Sequence, residues 1–304
     1  MEEKQKHCGV VSIIGRPSSG KSTFLNRVSG GKVSIVSKMP QTTLSAIRGI
    51  VTMPEGQIIF IDTPGYNCST SNFNLKLQSI AIESLNDADI ILYLIDVTRS
   101  FGDEEQAIIK ILQKVSKPIV IAFNKIDDKN ANRALSFVSL QKYFPKLSDD
   151  VSALKIGEPS LFDISAKTGE GLERLLQMLL ANLPESPLLY PPEFYTDQDV
   201  SFRIEEMIRE QVILNTKDEV PHATYIKIED MKMQKNGKSL NVKASLYADR
   251  ESQKGILIGK DASVIKKIRI NAEKELFKLF PYFISLELKV KVDKNWRARE
   301  GRGE

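Results

Sequence analysis

The sequence predicts an α/β chain in which a mostly parallel sheet with helices on both faces is followed by a smaller α+β domain. Three observations predict it. An apolar run at residues 8–14 leads the chain, and those at 90–95 and 118–123 have the continuous character of strands buried on both faces. Stretches of helical spacing stand between them, so strand and helix alternate from residue 8 to residue 183, which places ligand loops at the strands' carboxyl ends. Beyond a cluster of prolines (Pro184, Pro187, Pro191, Pro192) the order changes to helix, hairpin, glycine loop, helix and strand.

A length of 304 residues, 41% of them hydrophobic, suits two domains with a sizeable core. The expected division is 1–184, a stiff linker at 185–197, and 198–304. Cys8 and Cys68 lack any metal-site spacing, so no zinc is expected and a reducing compartment is favoured. With a polar N-terminus and no apolar run near the roughly 18 residues of a span, the chain is expected to be cytoplasmic. Net charge is only +4, but residues 243–302 hold 15 basic against 8 acidic residues, which suits a polyanionic partner.

Taken in order, the first element is a strand that ends in Gly15-Arg16-Pro17-Ser18-Ser19-Gly20-Lys21-Ser22 and opens a helix at Thr23. A glycine turn between strand and helix aims backbone N–H groups and a positive helix end at one point, where a polyphosphate fits; Lys21 then bridges the outer phosphates and Ser22 ligates magnesium. Residues 30–45 are polar and predict a long loop. Strands at 47–53 and 57–61 flank a turn, and the second runs into Asp62-Thr63-Pro64-Gly65. There Asp62 can hold the magnesium hydration shell and the Gly65 N–H can approach the terminal phosphate.

Helical spacing at 71–87 leads to the strand 90–95, a helix at 103–115, the strand 118–123 and Asn124-Lys125-Ile126-Asp127. Asp127 can accept from the guanine N1–H and exocyclic amine, a donor pair adenine lacks, so the expected nucleotide is GTP. Lys125 lies along base and ribose, and Asn124 ties loops together. A helix at 130–143, a strand at 161–164 and the turn Ser165-Ala166-Lys167 follow, the turn offering a backbone N–H to the guanine oxygen. The helix 171–183 closes the domain.

With Pro40-Gln41-Thr42-Thr43 added, these motifs give the chain a plain resemblance to the Era-type GTPases, over nearly its whole length. The resemblance implies a P-loop GTPase domain followed by a KH-type domain, with one of the tandem threonines, Thr43, reaching magnesium when its loop closes. Lys21, Thr43 and Gly65 become the catalytic set. Two departures stand out. Relatives commonly carry Asn where this chain has Ser18, a position tied to a potassium ion that assists hydrolysis, so K+ assistance is in doubt. Tyr66 follows Gly65 where Ras-like GTPases place a water-orienting glutamine, which predicts slow turnover.

The second domain is expected to hold a helix at 198–214, a hairpin of 223–229 and 240–247, a helix at 263–280 and a strand at 283–292. It is similar to the KH domain of Era-type proteins, whose G-x-x-G turn meets the RNA backbone beside an apolar groove for unpaired bases. On that resemblance Gly259 and Lys260 form the turn, Ile258 and Ile265 are candidate groove residues or plain core, and Lys266, Lys267 and Arg269 supply phosphate contacts. Asp261 and Ala262 depart from the pattern. Trp296 sits near the domain's end and covers the groove or packs the terminus, and 297–302 is a basic tail.

The implied function is a magnesium-dependent GTP switch that binds the 3′ end of small-subunit (16S-type) ribosomal RNA in 30S assembly, monomeric when free, with peripheral inner-membrane contact left open. The rival is a regulatory GTPase whose altered turn docks a protein or a membrane surface.

Overall fold

A computed structural model describes residues 6–36, 45–66, 72–147 and 154–294, and it divides into two compact units, Met1–Asp197 and Gln198–Glu304. In the first unit β1 (His7–Ile14), α1 (Lys21–Val28), β2 (Ile47–Met53), β3 (Gly56–Asp62), α2 (Asn72–Asn86) and β4 (Ile90–Asp96) are followed by α3 (Asp103–Leu112), β5 (Ile119–Asn124), α4 (Arg133–Gln141), β6 (Ser160–Ile164) and α5 (Leu172–Ala181). The sheet has six strands in the order β2-β3-β1-β4-β5-β6, and β2 alone runs antiparallel to its neighbour.

Every residue of β3, β4 and β5 is buried, because helices cover both faces. On one face Ile91, Tyr93, Ile95 and Phe123 pack with Ile108, Ile109 and Leu112 of α3 and Leu140 of α4. Truncating one such isoleucine to alanine typically costs about 2–5 kcal/mol. The parallel order brings the ends of β1, β3, β4, β5 and β6 to one edge, and the described motifs expected to bind nucleotide lie there.

The expected linker is held along β2. Ile50 donates its amide to the Tyr195 carbonyl at 2.9 Å, and the Thr196 hydroxyl donates to the Arg48 carbonyl at 2.9 Å. The buried side chain of Gln57 pairs with both backbone groups of Tyr190, each at 3.0 Å. The Tyr195 ring lies against Gly31, where an added Cβ would come within 2.8 Å of it.

The second unit contains α6 (Val200–Asn215), β7 (Thr224–Met233), β8 (Ser239–Ala248), α7 (Glu251–Ile258), α8 (Ser263–Leu279) and β9 (Phe283–Val292). Its three strands lie in the order β7-β8-β9, antiparallel and then parallel. Alternation in β8 buries Leu240, Val242, Ala244 and Leu246 against Ile204 and Ile208 of α6 and Ile268, Ala272 and Leu276 of α8. The helix α7 was not expected from the sequence.

Candidate functional site

The phosphate turn joins β1 to α1 at the sheet edge. Gly20 has φ +100° and no room for a side chain, since a Cβ there would lie 2.2 Å from the Asn124 amide nitrogen. Ser18, exposed, also takes a left-handed backbone at φ +63°. The first turn of α1 has no side-chain cap, which leaves its N–H groups directed at the turn. Lys21 is buried and donates to the Gly15 and Arg16 carbonyls at 3.0 and 3.1 Å. Burial pushes its pKa down to about 8, against the opposing pull of the Asp62 and Glu104 carboxylates.

Asp62 ends β3 fully buried. It accepts from the Ser22 hydroxyl at 2.8 Å and from Ser34 at 3.0 Å. Ser34 was not singled out in the sequence; Asn26 of α1 fixes it, accepting the Val33 and Ser34 amides and donating to the Ser34 carbonyl at 2.7 Å. Thr63 donates to the Ile13 carbonyl at 2.8 Å, tying the end of β3 to β1. Pro64 is buried, Gly65 passes so close to Pro17 that a Cβ would meet its Cα at 2.7 Å, and the next amide, of Tyr66, donates to the Gly15 carbonyl at 3.1 Å. Ser19 is buried and Thr23 half-buried beside them. Thr43, with Pro40, Gln41 and Thr42, lies outside the described residues, as do Cys68 and Trp296.

The base loops meet the same edge. Asn124 donates to the Ser19 carbonyl at 2.8 Å and accepts the Ala166 amide at 2.9 Å. The Asp127 carboxylate, on a side chain 16% exposed, accepts the Ser165 hydroxyl at 2.6 Å, with Lys167 at 3.6 Å. The Ser165 bond is the main cause that holds the Asp127 carboxyl below the usual aspartate range. Lys125 has φ +69° and its ammonium pairs with Asp96 at 2.7 Å. The Arg16 side chain turns under the phosphate turn and pairs with Glu105 at 2.7 Å. Neither acidic residue was singled out from the sequence; Asp96 closes the apolar run of β4 as Asp62 closes that of β3, and that repeated position was the available signal.

In the second unit, α7 and α8 are joined by Gly259 (φ +73°) and a single 3₁₀ turn, Lys260–Ala262. Asp261 and Ala262 both lie in the left-handed region, at φ +52° and +57°. Lys260, Lys266 and Lys267 are exposed, and Ile258 and Ile265 are half-buried. Arg269 is committed to Glu273, at 3.0 and 2.8 Å to the two carboxylate oxygens. Ile256, one turn before the glycine, is about half exposed at 51% and offers the larger apolar surface beside the turn.

A family model described as a 50S ribosome-binding GTPase matches residues 10–125, and a KH-domain model matches residues 219–297. GTPase Era of Treponema denticola is 52% identical over 292 residues, 96% of each chain. The chain belongs to the Era GTPase family. It is accordingly a GTPase domain followed by a KH domain. GTPase Era of Treponema pallidum (strain Nichols) is 46% identical over 96% of this chain. Among solved structures, an Aquifex aeolicus Era variant bound to GDP and aluminium fluoride superposes with a TM-score of 0.87 at 33% identity, covering 96% of each chain. An Era complex with MgGDPNP and nucleotides 1506–1542 of 16S ribosomal RNA gives 0.87 at 32% identity, over 97% of this chain and 96% of that one. No helix among the described residues is long and apolar enough to cross a membrane.

Proposed function

We propose that this chain is a GTP-binding, slowly hydrolysing switch that binds small-subunit ribosomal RNA through its KH domain and acts in 30S subunit assembly. The observation that carries the nucleotide half is the position of Asn124, whose side chain bonds the phosphate turn and the Ser165-Ala166-Lys167 turn at once. The loops read as phosphate-binding and base-binding thereby share one edge. The RNA half is supported by the KH match, the exposed lysines around Gly259 and the relative bound to 16S ribosomal RNA.

The donors at the end of β3 suit magnesium: a hydroxyl and a carboxylate 2.8 Å apart are hard oxygen ligands beside an uncapped helix end. Ser22 and Thr43 would ligate the ion directly and Asp62 through water, and the bound ion would neutralise charge on the phosphates. Lys21, freed from its two carbonyls, bonds the outer phosphates, and the Gly65 N–H reaches the terminal one. Asp127 and the Ala166 amide select guanine. Tyr66 offers no amide to orient water, so turnover is slow without a partner. Ser18 presents a hydroxyl in place of an amide oxygen, and potassium has no assigned role. The protein acts in the cytoplasm and is monomeric when free; peripheral contact with the inner membrane is compatible with these features.

A steady-state assay with GTP in competition with ATP tests the enzyme. Slow, magnesium-dependent release of phosphate that excess ATP does not inhibit is expected. Rapid hydrolysis by the chain alone, or inhibition by equimolar ATP, would overturn the assignment.

A further inference from the structure

At the end of β4 four charged side chains meet below the nucleotide loops. Asp96 is 1% exposed. One oxygen accepts the Lys125 ammonium at 2.7 Å and lies 3.9 Å from Arg16; the other accepts the Thr98 hydroxyl at 2.6 Å and the Thr98 amide at 3.0 Å. Its backbone carbonyl accepts from Arg16 at 3.4 Å. Arg16, 4% exposed, gives its other nitrogen to Glu105 at 2.7 Å, and Glu105 is fixed in turn by the Gly102 amide at 3.0 Å. Two cations and two carboxylates meet here, with Arg16, Asp96 and Glu105 buried and Lys125 34% exposed.

Such pairs are poor sources of net stability, because desolvation of the ions offsets their attraction and apolar residues of similar volume do as well. Their geometric effect is specific. A free lysine loses rotamer freedom on being ordered, and Lys125 is already held by Asp96 while its backbone takes a left-handed conformation. The stem that lies along base and ribose is set before nucleotide arrives, the condition under which binding loses least to ordering. We propose that Asp96 is a positioning residue for the nucleotide, acting through Lys125. The proposal rests on Lys125 being a nucleotide-packing residue.

The test is a double-mutant cycle on GDP affinity in the full chain, with Asp96→Asn, Lys125→Ala and the double variant, and with kcat measured at saturating GTP. Each single change is expected to weaken GDP binding about tenfold or more. The double variant should be no more than about twofold weaker than Lys125→Ala, and kcat of Asp96→Asn should stay within about twofold of the parent while KM rises. Should Asp96→Asn fold poorly, Thr98→Ala, which leaves every charge in place, carries the same test: about threefold weaker binding, absent in a Lys125→Ala background. Unchanged affinity in Lys125→Ala would overturn the assignment of Lys125 and the proposal with it. Strictly additive losses, or a fall in kcat as large as the rise in KM, would overturn the role of Asp96 alone.

Discussion

Asn124 donates its side-chain amide to the carbonyl of Ser19 at 2.8 Å, fastening the end of β5 to the phosphate turn. Replacing it by alanine leaves two buried backbone groups, the Ser19 carbonyl and the Ala166 amide, without this partner. At about 1–3 kcal/mol for each unsatisfied group, Asn124→Ala should lower the unfolding free energy by about 2 kcal/mol or more and weaken GDP binding at least tenfold. Denaturant unfolding and nucleotide titration of the same sample check both.

In the proposed site Asp127 accepts two donors from the base. Asparagine there presents a donor where the guanine amine needs an acceptor, whereas xanthine carries a carbonyl at that position. Asp127→Asn should therefore lose about a hundredfold or more in GTP affinity and prefer xanthosine triphosphate. Because the Ser165 hydroxyl holds the Asp127 pKa down, the carboxylate stays ionised well into the acid range and GTP affinity should be level through this group from pH 8 to 5. In Ser165→Ala the pKa rises toward the ordinary aspartate value, and the acid loss of affinity should begin at higher pH.

Ala262 holds φ +57° on the turn between α7 and α8. A left-handed alanine costs about 1–2 kcal/mol that glycine largely avoids. Ala262→Gly should stabilise the second unit by about 1 kcal/mol, less the entropy that glycine loses on folding, and leave RNA affinity unchanged or higher. Thermal melting and an RNA titration measure the two effects, and a large loss of affinity would show that the side chain itself is needed.

Glu205 of α6 is half-buried and accepts the Ile228 amide at 2.8 Å. Burial raises its pKa, with Glu206 and Asp199 adding to the rise and the Ile228 bond opposing it. The sign follows from the raised folded value: the protonated form is favoured on folding, that stability is present below the unfolded pKa, and it is lost as pH rises through the folded one. Glu205→Gln, which keeps an acceptor for Ile228, should stabilise the fold at pH 7, with the difference shrinking as pH falls through the raised folded value and gone below about pH 4.5, the ordinary glutamate value. Melting curves across pH 3.5–7.5 check it.

Much of this was legible in the sequence, for identifiable reasons. The run Ile90-Ile91-Leu92-Tyr93-Leu94-Ile95 is apolar on both faces and became the fully buried β4. The phosphate turn, Asp62 and Asn124 carry chemistry that tolerates few residue types, and they converge on one edge. The strand β7 extends to Met233, past the expected end at 229, because a bulge between Ile228 and Asp230 breaks the alternation that marks a strand. The helix α7 was hidden by Gly255 near its middle, a residue that weakens helices. The strap along β2 was hidden because its bonds run largely through backbone groups of Tyr190 and Tyr195. Asp96 is signalled only by its place at the end of the apolar run of β4, and Glu105 not at all: an ion cluster is assembled by tertiary contact, and nothing in local spacing joins Arg16 to a helix some ninety residues on.

The most direct test of a nucleotide switch acting on ribosomal RNA is a filter-binding titration of the intact chain with the 3′ segment of small-subunit ribosomal RNA, with GDP and with a nonhydrolysable GTP analogue, at several salt concentrations. The expected result is binding that weakens steeply with salt, as phosphate contacts by Lys260, Lys266 and Lys267 require, and that differs between the two nucleotides. Absence of RNA binding at every ionic strength, or binding identical with both nucleotides, would contradict it.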